Sequence, residues 1–248
     1  MKFFKNILLL LFVLIISKNV YAQNAQTPKN LFDTANQAYQ NGQYSEAIIN
    51  YESIVKMGIA NFNVFYNLGN SYFRDKQIGK AVLNFERAFL LKPSDKDIRA
   101  NLQFIRAMIK DEEGFLFNID VLSLNQLFII FCIFTWLFIS SIILGLFKKL
   151  SFLFNLKIFF AICLTLNIIW LASKFYKEKK VDYAVIISET NAKNGPGSDY
   201  SAGFSLPEGK KVIILGKEND WIAVGLRKEG LKGWVESRTV ERIATGNE

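Results

Sequence analysis

The 248-residue chain has no histidine, two cysteines and four prolines. Without histidine there is no Ser-His or Cys-His nucleophile pair, no histidine metal site and no histidine-based pH switch. Cys132 and Cys163 both lie inside long apolar runs, so they form neither a disulfide framework nor a CxxC redox site. Any exported domain must therefore fold without disulfides. No GxSxG, HExxH, Walker or kinase motif occurs, and the Gly195-Pro196-Gly197 turn is not followed by GK[ST]. Isolated acids such as Glu52 and Glu86 read as members of solvated, charged helix faces. The expectation is a protein that is not an enzyme, with no cofactor and no metal.

A nucleic-acid-binding face is also missing. The net charge is +8, but its excess is not on the polar segments. Residues 1–27 carry three lysines and no acid, and residues 114–180 carry seven basic against two acidic residues. The segments 28–113 and 181–248 are nearly neutral. A nucleic-acid reader concentrates positive charge on a folded face. Here it accompanies an export signal and apolar runs.

Those runs are abundant, since apolar residues make up 51% of the chain and phenylalanine alone occurs 23 times. Residues 1–22 read as a signal peptide, with Lys2 and Lys5 before the apolar stretch Ile7 to Ile16. Val20-Tyr21-Ala22 suits cleavage after Ala22, and an uncleaved anchor is the alternative. Residues 124–147 and 150–173 are each about 20 residues or longer, the length a transmembrane helix needs. The second run is interrupted by Lys157, placed to snorkel to an interface, and by Asn167, which suits bonding a neighbouring helix. Trp136, Trp170 and Tyr176 are candidate interfacial anchors. Neither run contains Asp or Glu, which argues against a transport role. Export of the first polar segment, with Lys148 and Lys149 inside, predicts a two-pass bacterial inner-membrane protein with both folded segments in the periplasm.

Residues 28–113 repeat. Gly42-Gln-Tyr44-Ser-Glu-Ala47 recurs downstream as Lys76-Gln-Ile78-Gly-Lys-Ala81. At the same offset Tyr51 aligns with Phe85, Ala35 with Gly69 and Tyr39 with Phe73. This offset is the tetratricopeptide period. The second unit resembles that family's consensus at Leu68, Gly69, Tyr72, Ala81, Phe85, Ala88 and Pro93. Small residues let two antiparallel helices approach, aromatics fill beside them, and Pro93 stops the second helix. A helix from about Asp95 to Lys110 is expected to cap the solenoid. The resemblance implies a partner-binding groove lined by Phe32, Asn36, Tyr39, Tyr66, Asn70, Phe73 and Arg74. The side-chain amides of Asn36 and Asn70 can donate to and accept from an extended peptide backbone, or simply solvate the face. A family clamp for terminal carboxylates uses paired lysines, but Phe32 and Ala100 stand at those positions.

Residues 181–243 show short β-patterned runs between Gly, Pro, Asn and Asp turns. They resemble the bacterial SH3-type domain at Asn191, Gly195-Pro196-Gly197, Leu206, Glu208-Gly209, Val212, Trp221 and Gly233-Trp234-Val235. That implies a small all-β barrel filled by Trp234 and alternating apolar residues, with Asn191, Tyr200 and Trp221 as its surface; core packing is the alternative for Trp221. Such domains accompany cell-wall enzymes, which implies peptidoglycan or peptide as ligand.

The full order, signal peptide, tetratricopeptide pair, two close-set spans and SH3-type barrel, resembles the BatE family of the Bacteroides aerotolerance (Bat) operon. The resemblance implies a scaffold or adaptor in the bilayer, in an envelope-stress or oxygen-tolerance complex. Its partners would be von Willebrand A-type Bat membrane proteins and, indirectly, a MoxR-type ATPase. A murein-binding tether or sensor is the alternative.

Overall fold

A computed structural model describes residues 27–109, 122–147, 151–226 and 229–244. The expected signal peptide at residues 1–22 lies outside the described residues, as do Lys148 and Lys149. The chain divides into two compact units, one ending at Ile59 and the other beginning at Ala60.

The first unit is a helical hairpin of α1 (Pro28–Gln40) and α2 (Tyr44–Lys56). The hydroxyl of Thr27 accepts from the Asn30 amide at 3.2 Å, and Pro28 occupies the first turn, where its missing N–H costs nothing. Leu31, Ala35 and Ala38 recur at helical spacing and pack with Ala47, Ile48, Tyr51 and Ile54. Gly42 turns the chain with a φ of 77°, a backbone state open to glycine at little cost.

The second unit begins with α3 (Phe62–Arg74), α4 (Ile78–Leu91) and α5 (Lys96–Met108). Helix starts at 28, 62 and 96, and again at 44 and 78, keep the repeat period read from the sequence. A Cβ at Gly69 would lie 2.8 Å from the Phe85 ring, so glycine is what lets α3 approach α4. Helix α4 stops just before Pro93. Asp95 caps α5 by accepting from the Asp97 and Ile98 amides at 3.1 and 3.3 Å. A hydrogen bond from Lys92 is the main reason its carboxyl sits below its ordinary pKa. Ile98, Leu102 and Ile105 of α5 are buried, and the helix packs on α4.

Helices α6 (Leu124–Phe147) and α7 (Ser151–Lys180) pack against each other, with Phe134 and Phe160 centroids 6.4 Å apart. The stretches Leu124–Leu146 and Phe152–Tyr176 are long and apolar enough to cross a membrane. Little of either is covered by the rest of the protein; Phe128, Ile139, Phe152, Phe159 and Leu166 are all exposed. Helix α7 continues past the expected limit of residue 173 to Lys180. Lys157 lies over Gly145, which has no side chain to obstruct it. Trp136 stands at the middle of α6, roughly 18 Å from either end at 1.5 Å per residue. Asn167 is buried, yet its carbonyl oxygen has no hydrogen-bond partner among the described residues.

The remaining segment is a seven-stranded antiparallel sheet. Its strands are β1 (Tyr183–Ile186), β2 (Thr190–Lys193), β3 (Ala202–Leu206), β4 (Lys211–Glu218), β5 (Trp221–Leu226), β6 (Leu231–Glu236) and β7 (Val240–Arg242). Their order is β3-β2-β6-β5-β4-β1-β7, with β3 and β7 at the two ends. The core is aliphatic: Ala184, Ile186, Ala192, Leu206, Val212, Val224, Leu226, Val235 and Val240. Along β6, Gly233 and Val235 are buried while Trp234 is only half-buried. Successive strand residues face opposite sides, so Trp234 points away from the core it was expected to fill.

Candidate partner-binding faces

On α1, Phe32, Asn36 and Tyr39 fall at i, i+4 and i+7, one helix face. All three lean on α2. Phe32 meets the Tyr51 ring edge-on at 5.8 Å, and Tyr39 meets Tyr44 at 5.4 Å. The buried Tyr51 hydroxyl donates to the Asn36 side-chain oxygen at 2.5 Å. Asn36 thus satisfies a buried hydroxyl of its own hairpin.

The same positions in α3 are Tyr66, Asn70 and Phe73. Tyr66 contacts Phe85 at 5.9 Å, which repeats the Phe32–Tyr51 contact in the second hairpin. Phenylalanine has no hydroxyl to offer Asn70. Asn70 accepts instead from the Asn101 amide of α5 at 3.0 Å, and Asn101 also donates to the Tyr66 hydroxyl at 3.3 Å. Phe73 packs edge-on against Phe104 at 5.9 Å, and Phe104 is 61% exposed. Arg74 is exposed at the end of the same face. The α3–α5 surface therefore combines aromatic rings, side-chain amides and one cation. That chemistry suits an extended peptide, whose backbone bonds amides and whose side chains pack on rings. Asn101 and Phe104 were not among the expected groove residues. They stand one repeat period after Asn67 and Asn70, so extending the repeat into the capping helix would have found them.

A separate face lies on the sheet. Lys193 pairs with Trp234 across β2 and β6, and Trp234 pairs with Ala223 across β6 and β5. Paired residues project to one side, and Trp221 lies two residues before Ala223 on that side. The Lys193 ammonium sits 5.3 Å from the Trp221 ring centroid and donates to the Ser198 carbonyl. Tyr200 is 53% exposed and lies flat against Gly195 and Gly197, where any side chain would collide with or crowd its ring. Asn191 is exposed on β2. The structure thus joins Trp221 to Lys193 and Trp234, two residues outside the expected set. Alternation along β6 was the available signal for Trp234.

Glu86 overturns the reading of it as a solvated surface acid. It is 2% exposed, bonded by Arg106 of α5 and, at 3.0 Å, by Lys211 of β4. Burial by itself would raise its pKa, but the two cations outweigh that and hold it at about 2.

Residues 188–241 match the bacterial SH3 domain family. Among solved structures, the chain is similar to the Sgt2 TPR domain from Aspergillus fumigatus at 25% identity, with a TM-score of 0.33. That match covers 35% of this chain and 58% of that one. A comparison with curated proteins finds no match.

Proposed function

We propose that this chain is a non-enzymatic, membrane-anchored scaffold. Helices α6 and α7 are its two spans. The tetratricopeptide module, residues 28–113, and the SH3-type module, residues 181–243 and closed as a small barrel, both lie in the periplasm. The proposed partners are membrane proteins of the von Willebrand A-type Bat class, linked indirectly to a MoxR-type ATPase in an envelope-stress or oxygen-tolerance complex. One observation carries this reading: two highly apolar helices, left almost uncovered by the protein, join an amide-and-aromatic helical face to an SH3-type sheet. Apolar surface of that extent needs lipid to cover it. Anchoring at the membrane also raises the local concentration of a membrane-bound partner.

Tyr66, Asn70, Phe73 and Arg74 of the α3–α5 face are proposed to receive an extended segment of the partner. Arg74 and Asn70 are the residues to replace, because Asn36 supports the buried Tyr51 hydroxyl. The Asn70→Ala/Arg74→Glu variant should lose the co-purifying membrane protein, and unchanged recovery would refute the groove.

The Lys193–Trp221 pair, on the same side of the sheet as Trp234, favours a second reading, in which the sheet binds peptidoglycan. The full chain in detergent should then sediment with purified sacculi, and Trp221→Ala should abolish this. Sedimentation no greater than that of an unrelated membrane protein would exclude it.

A further inference from the structure

Helix α4 carries four contacts to the sheet along one stripe, at residues 79, 82, 86 and 87. At its start, the Gly79 amide donates to the Glu208 carboxylate at 2.7 Å. Gln77, the residue capping α4, makes no side-chain cap bond, and the first turn of α4 holds no acid. The sheet thus supplies the anion that the helix N-terminus favours. A Cβ on Gly79 would fall 2.6 Å from the Ile186 carbonyl oxygen and 2.7 Å from the Ile187 Cα. Backbone meets backbone there, and no larger residue fits. One turn on, Val82 faces Gly209, whose φ of 86° excludes most side chains. Next comes Glu86, closed on by Arg106 and Lys211. Last, Arg87 donates to the Glu241 carboxylate at 2.8 Å, the Arg242 carbonyl at 2.9 Å and the Ile243 carbonyl at 3.3 Å.

Lys211 brings a cation of the sheet onto Glu86, 3.0 Å away. Two cations compensate Glu86 in its dry site, and one of them belongs to the sheet. The docking surface uses β1, the Glu208–Gly209 turn, Lys211 and β7. It leaves the Lys193–Trp221–Trp234 face and the α3–α5 face uncovered by this contact.

We propose that the SH3-type module is a clamp on its own chain. It docks on α4, with Glu86 as the shared anion, so that the α3–α5 face and the Trp221 face are carried by one rigid body. Residues 110–180 leave that body from α5 and return to it at β1. Given the proposed spans, the two helices must then form a hairpin that enters and leaves the bilayer on the same side. A partner must satisfy both faces at a fixed spacing, unlike a ligand of two modules on a flexible tether.

The test uses the full chain in native membranes, with Cys132 and Cys163 replaced by Ser. Arg87→Cys and Glu241→Cys are introduced together and treated with a short bis-maleimide. An intramolecular cross-link is expected for this pair. It should be absent for Arg87→Cys with Asn219→Cys, at the far end of β4. Adding Lys211→Met should reduce the cross-link to that control level. No cross-link for the Arg87/Glu241 pair, with both cysteines labelled by a monofunctional maleimide, overturns the clamp. Carbonate extraction of the same membranes separates the two claims. A cross-linked chain released by carbonate upholds the clamp and refutes the membrane spans. A retained chain whose two cysteines react from opposite sides refutes the clamp alone.

Discussion

At the scale of single residues, the most informative group is Glu86. A carboxylate in a dry interior is costly unless cations and hydrogen bonds compensate it. Arg106 and Lys211 do so, and lower its pKa from 4.5 to about 2. The sign of the resulting pH dependence follows. A carboxyl whose pKa falls on folding binds fewer protons in the native state, so its contribution is complete above about pH 5 and declines as pH falls toward 2. The shift corresponds to about 3 kcal/mol. Arg87, Glu208, Glu241 and Tyr183 lie on the same contact and set the local field around it. Urea midpoints of the wild-type chain should therefore drop between about pH 5 and 2. Glu86→Gln should be less stable at pH 7 and show a shallower decline; equal slopes for the two proteins would refute this role. Nothing in the sequence around Glu86 marks it. Its partners lie 20 and 125 residues away, and only the packing of α5 and β4 onto α4 brings them there.

At the scale of elements, the repeat period was the strongest signal. It is visible because each hairpin must place small and aromatic residues at the same phases, and the helix starts keep that spacing. The turn between helices repeats as well. Gly42 has φ 77°, and Lys76, its counterpart in the second repeat, has φ 64°. A left-handed backbone costs a residue with a Cβ roughly 1–2 kcal/mol. Lys76→Gly should therefore raise stability, by about 0.5–1 kcal/mol once the greater entropy of the unfolded glycine chain is allowed for. Chemical denaturation reads this directly, and a loss of stability would mean that Lys76 contributes more than its backbone costs. Sequence reasoning was weaker where an element's two faces compete. The SH3-type resemblance implies Trp234 in the core, yet β6 turns it outward because Gly233 and Val235 fill the inward positions. Asn36 and Asn70 were paired by phase, but a tyrosine at 51 and a phenylalanine at 85 give them different partners.

At the scale of the whole molecule, apolar composition and charge placement already separated two hydrophobic helices from two nearly neutral folded segments. What they could not give was the contact between α4 and the sheet, because the Gly79 approach depends on chain geometry and not on residue type. On the proposed function, this chain holds a membrane partner through the face built on α3 and α5. The decisive measurement is quantitative mass spectrometry of proteins recovered with the tagged full chain from mildly solubilised membranes, wild type beside Asn70→Ala/Arg74→Glu. A von Willebrand A-type membrane protein should be enriched with the wild type and lost from the variant, with equal yields of folded bait. Equal recovery of that protein with both baits, or no membrane protein above background with the wild type, would contradict it.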